Sequence, residues 1–516
     1  MKTTLLFISM LAGCFAFAQP GTLDTTFGIS GYSMLSLGAE GDDIQKILIQ
    51  PDNKILSVGT SYIAPNTSAI ALTRHNADGT LDISFNSTVT PAGTGSSTHG
   101  KDIALQSDGK ILITGYCFNT DSHYDMLLMR FNSNGLLDSS FGTGGKVMLD
   151  VGNIGGSDYM YAITVLPDGK IIAVGQAQTL EQSSIPVAVK FNANGTLDTS
   201  FGTNGILWID FAPFYNFPVA AWMPFASNVI ILQDGNILVS GRAGEGYSDL
   251  AFAKLNANGN FDASFGTDGK AIFSGPVFHD KNLIEQPDGK ILIMAKGTIA
   301  PDQGAVLYHV IVRLNSNGSP DIAFGTNGKL FIAPSQTPYC GAIALEQNGK
   351  ILAIDNPDPF VYDNLLMTRF KADGTLDTTF GINGSYSQDF PQLNYYIPQD
   401  LKILADGKIL AGVSINLDSN ADMGLMRFNG GETAGINEKA MDIFSIYPNP
   451  TTNILNISNP ENIILDGIDI IDITGKTVLQ QTDNLSQIDV QNLSPGMYFL
   501  QLTSGEKEYR HKFIKQ

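Results

Sequence analysis

The sequence has few charged residues and a strong excess of acidic over basic ones. Charged residues make up 16 % of the 516 positions, against about 25 % in typical soluble domains. The 30 basic and 50 acidic residues leave a formal net charge of −20. Because nucleic-acid binding depends on Lys and Arg that displace counterions from phosphates, this balance excludes a nucleic-acid partner.

Cysteines and long apolar runs are also scarce. The three cysteines are Cys14, Cys117 and Cys340, and no CxxC pair occurs, so they make no disulfide framework. We interpret Cys117 and Cys340 as buried thiols, with a disulfide or a reactive pair as the alternative. No apolar run reaches the roughly 18 to 20 residues of a membrane-spanning helix. No transmembrane segment is therefore predicted.

The N-terminus has the features of a secretory signal peptide, predicted to cover residues 1–18. Lys2 supplies the positive charge, an apolar stretch begins at Leu5, and small residues precede a cleavage site between Ala18 and Gln19. The alternative is a lipoprotein signal, in which Cys14 would be acylated and become the new N-terminus. The signal peptide predicts an exported protein.

Familiar catalytic and metal-binding motifs are missing. The sequence contains no GxSxG, HExxH, Walker A or DxDxDG motif. Its six histidines, at positions 75, 99, 123, 279, 309 and 511, have no ligand spacing. We interpret them as packing residues. The sequence therefore predicts no catalytic residue, no metal site and no cofactor, and we expect a protein that is not an enzyme.

Turn-forming residues, by contrast, are abundant, with 54 glycines and 23 prolines, and they recur in two phrases. The first, similar to Q-x-D-G-K-I-L, occurs seven times, at spacings of 56, 60, 66, 54, 60 and 58 residues. The second, N-x-x-G-x-L-D-x-S-F-G-x-x-G, alternates with it. Its aspartate recurs as Asp24, Asp82, Asp138, Asp198, Asp262, Asp321 and Asp377. Such regular repetition is typical of repeat architectures.

Each repeat contains four strand-like pieces, and the first phrase places an Asp-Gly hairpin turn between two of them. Many pieces, such as residues 171–174, are apolar on both faces, which fits sheets stacked on neighbouring sheets. The sequence predicts an all-β fold, a seven-bladed β-propeller of four-stranded blades over residues 19–430. The chain ends the array one strand short. We expect an N-terminal strand, Tyr32 to Leu37, to complete the last blade.

The recurrent aspartate invites a metal-binding interpretation, but its setting favours a structural one. It lies among turn formers with Ser or Thr usually two residues later, where an Asp side chain commonly accepts backbone N–H groups. Because it recurs in every repeat, we predict that it stabilises a turn.

Both phrases resemble the delta-60 repeat family, over about residues 20 to 430. Local departures occur at Asn86, Phe261 and Ser319-Pro320. The resemblance implies a propeller and little about activity.

After Gly430 the phrases stop. Residues 431–441 are predicted to form a linker, and residues 442–516 contain seven short strand-like pieces, which predict a small Ig-like β-sandwich. Four phrases within it, at residues 447–450, 472–476, 493–498 and 512–515, resemble the C-terminal sorting domain of type IX secretion substrates.

This resemblance implies handling by the type IX machinery and passage through the outer membrane of a Bacteroidetes-type bacterium. The mature protein would then be released or attached to the cell surface. A retained adhesive module is the alternative.

In a four-stranded meander the connections alternate between the two faces, so the two recurrent turns share one face and the variable connections share the other. The variable connections carry aromatic residues, and loops often carry function. The candidate ligand-binding residues are Tyr159, Tyr161, Phe214, Tyr215, Trp222, Tyr395 and Tyr396. Alternatively, these rings only pack the loops onto the blades.

We expect a monomer that binds an extracellular glycan or protein, with the site formed by Tyr159, Trp222 and Tyr395. Two alternatives stay open. One is a propeller enzyme, a polysaccharide lyase or glycoside hydrolase, with carboxylates such as Asp158, Glu245 and Asp280 converging at the axis. The other is a scaffold in a surface assembly.

Overall fold

The computed structural model describes residues 19–92, 97–118, 123–152, 156–179, 184–214, 224–244, 248–299, 306–334, 341–356, 364–389, 395–416, 420–430, 444–449, 451–459, 463–472, 476–494, 496–504 and 507–515. The chain divides into two compact units, Met1–Gly431 and Glu432–Gln516. Within the described part of the chain, no helix has the length and hydropathy needed to cross a membrane.

The first unit consists of short antiparallel sheets joined in sequence order. The first three sheets, which we call blades 1 to 3, each contain four strands. They are β2 (Asp42–Ile49), β3 (Ile55–Ala64), β4 (Thr67–His75) and β5 (Thr88–Thr90); β6 (Thr98–Leu105), β7 (Ile111–Phe118), β8 (Tyr124–Phe131) and β9 (Lys146–Leu149); and β10 (Tyr159–Val165), β11 (Ile171–Ala177), β12 (Ile185–Phe191) and β13 (Ile206–Trp208).

The next two blades are continuous through one long strand, which gives a seven-stranded sheet. Its strands are β14 (Phe225–Ile231), β15 (Ile237–Ala243), β16 (Ser248–Leu255), β17 (Lys270–Glu285), β18 (Ile291–Ile299), β19 (Val306–Leu314) and β20 (Lys329–Pro334). The first part of β17 pairs with β16 and its second part with β18. It is therefore the outermost strand of blade 4 and the innermost strand of blade 5. A 3-10 turn, Ala212–Phe214, precedes this sheet.

Blade 6 contains β21 (Ala342–Leu345), β22 (Ile351–Asp355), β23 (Asn364–Phe370) and β24 (Ser385–Asp389). Blade 7 contains β25 (Tyr395–Ile403), β26 (Ile409–Asn416) and β27 (Ala421–Phe428), and its fourth strand is β1 (Tyr32–Leu35) from the N-terminus. Tyr32 pairs with Met426 and Leu35 with Met423. The predicted seven-bladed propeller is confirmed, and the N-terminal strand closes it.

Hydrophobic cores lie between blades rather than at one centre. Seven clusters of buried apolar side chains each combine residues of two adjacent blades. One contains Leu56 and Val58 of blade 1 with Ile111 and Leu127 of blade 2, all fully buried. Strands that are covered on both faces need apolar residues at successive positions, which explains the runs seen in the sequence.

The sequence repeat and the structural blade are offset by one strand. The strand that follows each second phrase pairs with the preceding blade, as Ile206–Trp208 does with β12. Every sequence repeat therefore spans two blades. This offset links adjacent blades covalently, and at the chain ends it leaves the gap that β1 fills.

The second unit contains two antiparallel sheets. One has β28 (Ser445–Tyr447), β29 (Ile454–Ser458) and β32 (Gln487–Asp489), and the other has β30 (Gly467–Asp472), β31 (Thr477–Gln481), β33 (Gly496–Ser504) and β34 (Lys507–Lys515). A shared core contains Leu455 and Ile488 of the first sheet with Ile470 and Leu500 of the second. The seven strands thus form a small sandwich. Its Ig-like character stays a prediction.

Candidate functional site

On one face of the propeller, which we call the recurrent face, the second phrase builds the same network in each blade. In blade 1, Asp82 Oδ1 accepts hydrogen bonds from the backbone N–H (3.0 Å) and the hydroxyl (2.6 Å) of Ser84. Its Oδ2 accepts from Lys54 Nζ at 2.8 Å and Arg74 Nε at 2.7 Å. Burial alone would raise the pKa of Asp82, but these bonds hold it well below its usual range.

The basic partner of this aspartate also joins neighbouring blades. The Arg74 guanidinium lies 4.4 Å from the ring centroid of Phe85 and donates to the Ser133 carbonyl of blade 2 at 2.8 Å. Equivalent bonds to the next blade are made by Arg130, Lys190, Arg313 and Arg427. All seven recurrent aspartates have a basic partner of this kind. The bonds agree with the turn-stabilising interpretation.

The innermost strands of the seven blades contact one another in a closed ring. They enclose a cavity of about 380 Å³, lined by residues of all seven, including Lys46, Asp102, Ala162, Asn228, Asn282, Ile343 and Leu401. Among the described residues, no group of three or more His, Cys, Asp or Glu could hold a metal ion.

Polar side chains in this cavity also hold blades together. Asp400 of blade 7 accepts from Ile47 N of blade 1 (3.2 Å) and from Asn282 Nδ2 (3.0 Å), and pairs with Lys402 Nζ at 2.8 Å. Burial favours a raised pKa for Asp400, but the ammonium groups of Lys402 and Lys46 outweigh it and lower the pKa to about 2. The Asp400 carboxylate is therefore already bound by groups of the protein itself. The cavity therefore carries a structural network.

On the opposite face, which carries the variable connections, aromatic side chains of four successive blades touch. We call this set the aromatic band, and its members are Tyr62, His99, Tyr116, Tyr124, Tyr159, Tyr161 and Phe225. Neighbouring ring centroids lie between 4.8 and 6.4 Å apart. Tyr62 is 38 % exposed and the other rings are half-buried.

The centre of the band is a pair of parallel tyrosines. Tyr159 and Tyr161 lie on β10 with ring planes 3° apart and centroids 6.1 Å apart. Tyr116 of blade 2 meets Tyr159 edge-on at 4.8 Å, and Phe225 of blade 4 lies 5.4 Å from Tyr161. Burial raises the pKa of both Tyr116 and Tyr161, so their hydroxyls stay protonated and able to donate.

Charged groups flank the band. Lys101 Nζ lies 5.4 Å from the Tyr116 ring centroid, and the Arg242 guanidinium lies 4.2 Å from that of Phe225. Asp43 accepts from Thr60 N at 2.8 Å and is electrostatically coupled to Lys101. Burial raises the pKa of the Asp43 carboxyl, lowers that of the Lys101 ammonium and lowers the pKa of His99 to about 4. The band thus offers ring faces beside hydrogen-bonding and ionisable groups.

The seven residues singled out from the sequence have different fates. Tyr159 and Tyr161 lie in the band, whereas Tyr215 and Trp222 lie outside the described residues. Phe214 is half-buried and packs against the core between blades 3 and 4, with Phe211 at 6.4 Å. Tyr395 begins β25, opposite Asn416.

The prediction that Tyr396 binds a ligand is corrected by the structure. Its side chain is fully buried in the core between blades 6 and 7 and has no exposed ring face.

Of the three carboxylates considered for catalysis, the two that the structure describes lie in separate hydrogen-bond networks. Asp158 is buried and accepts backbone N–H bonds from Val151 and Gln178, and burial raises its pKa to about 6. Asp280 is buried against Ser227 and Asn228 of blade 4. Glu245 lies outside the described residues. Cys117 is fully buried, whereas Cys14 and Cys340 are not described.

Sequence reasoning missed His99, Lys101, Tyr116 and Tyr124 of blade 2. Tyr116 and Tyr124 flank a variable connection, and His99 follows another, so position relative to the two phrases was the available signal. The sequence-based candidates Phe214, Tyr215 and Trp222 lie instead between β13 and β14.

Two family models match the chain. One, described as a secretion system C-terminal sorting domain, matches residues 445–516. The other, described as a domain of unknown function (DUF5122) beta-propeller, matches residues 50–85, 106–141, 166–201, 232–265 and 286–324. The chain is a β-propeller protein. The two matches correspond to the propeller repeat and the C-terminal sorting domain that the sequence predicted.

The sorting domain indicates export through the outer membrane, to the cell surface or beyond it, with handling by the type IX secretion machinery.

Solved propellers provide matches of fold at low identity, and no curated protein matches the sequence significantly. A PL25 ulvan lyase bound to a GlcA–Rha3S saccharide is 11 % identical, with TM-score 0.40, covering 81 % of this chain and 95 % of its own. An α-L-arabinanase of Penicillium chrysogenum is 10 % identical, with TM-score 0.39 and coverages of 80 % and 97 %. A leech intramolecular trans-sialidase is 10 % identical, with TM-score 0.39 and coverages of 78 % and 70 %.

The expectation that the protein is not an enzyme is corrected by these matches, because the similar structures are propeller enzymes. The missing motifs could not support that expectation. Groups on different blades are about 60 residues apart in sequence and meet only after folding, so a propeller site leaves no contiguous motif.

Proposed function

We propose that this exported propeller binds an extracellular carbohydrate at the aromatic band. The observation that carries the proposal is the continuous contact of partly exposed rings from blades 1 to 4 on the face with the variable connections. A packing role alone would not require tyrosines at these positions, since Leu or Phe would fill the same space without a polar group to satisfy.

The chemistry of the band favours sugar over a flat protein surface. A sugar ring has an apolar face of C–H groups and an edge of hydroxyls, which fit an aromatic face bordered by polar side chains. Tyr159 and Tyr161 offer such faces, with Asp43 and Lys101 nearby. A protein partner would need roughly 800 Å² of contact on each side, whereas most rings here are half-buried.

The test compares two aromatic variants of the full chain on a glycan array and by co-sedimentation with insoluble polysaccharides. Tyr116→Ala/Tyr159→Ala removes the centre of the band. Phe331→Ala is the control, because Phe331 is 37 % exposed on the outer strand β20, away from the band. We expect at least about a tenfold loss of affinity in the double variant, the free energy of one or two aromatic contacts.

Retention of wild-type affinity in the double variant, or an equal loss in the control, would contradict the placement of the site. Circular dichroism spectra and melting temperatures of both variants establish that the loss does not come from unfolding.

A second candidate at the same place is cleavage of the bound carbohydrate. Burial raises the pKa of Asp43, which suits a proton donor, and His99 is neutral at pH 7, which suits an acceptor. The measurement is release of reducing ends, or of an unsaturated product by its ultraviolet absorbance, from any polysaccharide that binds.

Asp43→Asn should abolish product release while keeping a hydrogen-bond acceptor for Thr60. Asp52→Asn, in an exposed hairpin turn, is the control. A wild-type protein that binds without releasing product would remove cleavage and leave binding.

We further propose the domain organisation that the sequence suggested: a signal peptide at 1–18, the propeller at 19–430, a linker at 431–441 and the sorting domain at 442–516. Intact-mass and N-terminal analysis of the exported protein tests it. We expect Gln19 as the first residue, whereas an acylated Cys14 there would establish the lipoprotein alternative.

A further inference from the structure

We propose that the carbohydrate bound by the aromatic band is anionic, and that Lys101 and Arg242 hold its carboxylate or sulfate groups. This inference rests on the proposed function and names the ligand class of that same site. It comes from the placement of two cations at the two ends of the tyrosine pair.

The two cations are held in similar ways. Lys101 lies on β6, with its ammonium over the ring of Tyr116 at 5.4 Å. Arg242 lies on β15, with its guanidinium over Phe225 at 4.2 Å. Tyr116 contacts Tyr159, and Phe225 contacts Tyr161, so the tyrosine pair lies between them. A sugar stacked on the pair would bring substituents on either side near a positive charge.

Arg242 differs in its position from the other arginines of the propeller. The six in residues 19–430 are Arg74, Arg130, Arg242, Arg313, Arg369 and Arg427. Five of them bind the recurrent aspartates on the recurrent face. Arg242, by contrast, lies beside the band, over Phe225. Arginine binds carboxylate and sulfate oxygens with two parallel N–H groups, which suits an acidic sugar.

The two acidic residues near these cations, Asp43 and Asp280, already accept hydrogen bonds from other groups. Asp43 faces Lys101, but Thr60 N and Gln45 Nε2 already donate to its two oxygens, at 2.8 and 3.1 Å. Asp280 faces Arg242, and its Oδ2 accepts from Asn228 Nδ2 at 2.9 Å as well as from Ser227. Burial raises the pKa of both carboxyls and lowers the pKa of Lys101 and of Arg242, so it disfavours the charged form of all four groups. A bound anion would favour the charged forms of Lys101 and Arg242 over those of the two acids.

The experiment measures the affinity of the full chain for two matched pairs of polymers by affinity electrophoresis or calorimetry. The first pair is polygalacturonate and its methyl-esterified form, which share one backbone and differ in carboxylate charge. The second pair is dextran sulfate and dextran. The two pairs separate a carboxylate source from a sulfate source of the same anionic chemistry.

Two double variants test the residues. Lys101→Gln/Arg242→Gln removes the cations of the band. Lys270→Gln/Lys329→Gln is the matched control, because each of these lysines also lies over an aromatic ring, Phe261 at 4.7 Å and Phe273 at 5.0 Å, outside the band. Both variants lose two positive charges, so the overall charge of the protein changes equally.

We expect binding to at least one charged polymer to exceed binding to its neutral partner by about tenfold, and that preference to disappear only in the Lys101/Arg242 variant. Equal affinity for charged and neutral polymers, with loss in Tyr116→Ala/Tyr159→Ala, would overturn the anionic preference and keep carbohydrate binding. Equal losses in both charge variants would also overturn it. Absence of binding to all four polymers and to the glycan array would overturn both proposals.

Discussion

On the recurrent face, every blade carries the same Asp with its basic partner, whereas on the variable face equivalent positions differ from blade to blade. The strand positions of Asp43, His99, Tyr159 and Phe225 correspond, one per blade, yet they hold an acid, an imidazole, a phenol and a phenyl ring. The corresponding residue of blade 7, Ile397, is buried. The members of the band thus all lie in blades 1 to 4.

This difference separates the residues that hold the ring together from those available for a ligand. The Asp–basic pair is present in all blades, and five of its basic residues also bond to the next blade, so a change in one of these should weaken a junction. The side chains of the variable connections do not form this recurrent pair. They can therefore differ between blades and contact a ligand. Four predictions test this division, beginning with the largest effects.

Arg130→Ala should lower the free energy of unfolding by about 3 kcal/mol, the lower end for a broken buried ion pair, because Lys110 Nζ still lies 3.2 Å from Asp138 Oδ2. The Arg130 and Asp138 side chains are each 8 % exposed, with Nε and Oδ2 2.8 Å apart. Denaturant unfolding measures the change. Arg242→Ala, on the variable face, should cost less than half as much, and equal costs would remove the division between the faces.

Tyr396→Ala and Tyr159→Ala compare two tyrosines that the sequence placed in one group. Tyr396 is fully buried, so its loss should cost about 3–5 kcal/mol. Tyr159 is half-buried, and its loss should cost about 1–1.5 kcal/mol. Binding should show the reverse order, with carbohydrate affinity falling only for Tyr159→Ala. A larger stability loss for Tyr159 would assign the band to packing.

Acid should lower the stability of the protein through the recurrent aspartates. Hydrogen bonds from Lys170 and Ser200 hold the pKa of Asp198 well below the value of about 3.9 in an unfolded chain. The ionised form therefore favours the folded state above about pH 4, and this contribution is lost as the pH falls towards the folded-state pKa.

Melting temperature, followed from neutral pH downward, should fall below about pH 4. In Asp198→Asn the neutral-pH value should be lower and the acid-dependent fall smaller. An unchanged acid profile in this variant would show that the aspartate is not electrostatically coupled to folding.

The smallest predicted effect is the difference in stability between alanine variants of two glycines on the recurrent face. Gly195 has φ +90°, and a Cβ there would lie 2.9 Å from the Phe141 ring, whereas Gly169 has φ +82° and only Ala193 Cβ at 4.0 Å. Gly169→Ala should cost about 1 kcal/mol from its positive φ alone. Gly195→Ala should cost more, because the buried ring must also move. Equal melting temperatures would contradict the role of Phe141 packing.

The fold was predictable because its determinants are local and repeated. The Asp-Gly turns, the second phrase and the apolar runs each specify one supersecondary unit, and seven copies at similar spacing fix the blade number. The predicted closing strand, Tyr32 to Leu37, corresponds to the observed Tyr32–Leu35. The sandwich strands were likewise visible as alternating pieces between turns.

The candidate site was predictable only in part. The face was inferred from the alternation of connections, and Tyr159 and Tyr161 were among the residues named. The contribution of His99, Tyr116 and Tyr124 was not, because contacts between blades join residues that the sequence separates. An irregular pairing that recurs in the innermost strands, as between Met160 and Ala162, also changes which side chains face inward, and simple alternation along the strand does not predict it.

By itself, the sequence determined the repeat, the number of blades, the closure of the ring and the export route, since turn chemistry and strand patterning act over a few residues. Only the tertiary structure decided which side chains meet. Lys101, Tyr116, Tyr159, Tyr161 and Arg242 come together because blades 2, 3 and 4 pack side by side. Tyr396 is buried because its strand, β25, packs against the strands of blade 6.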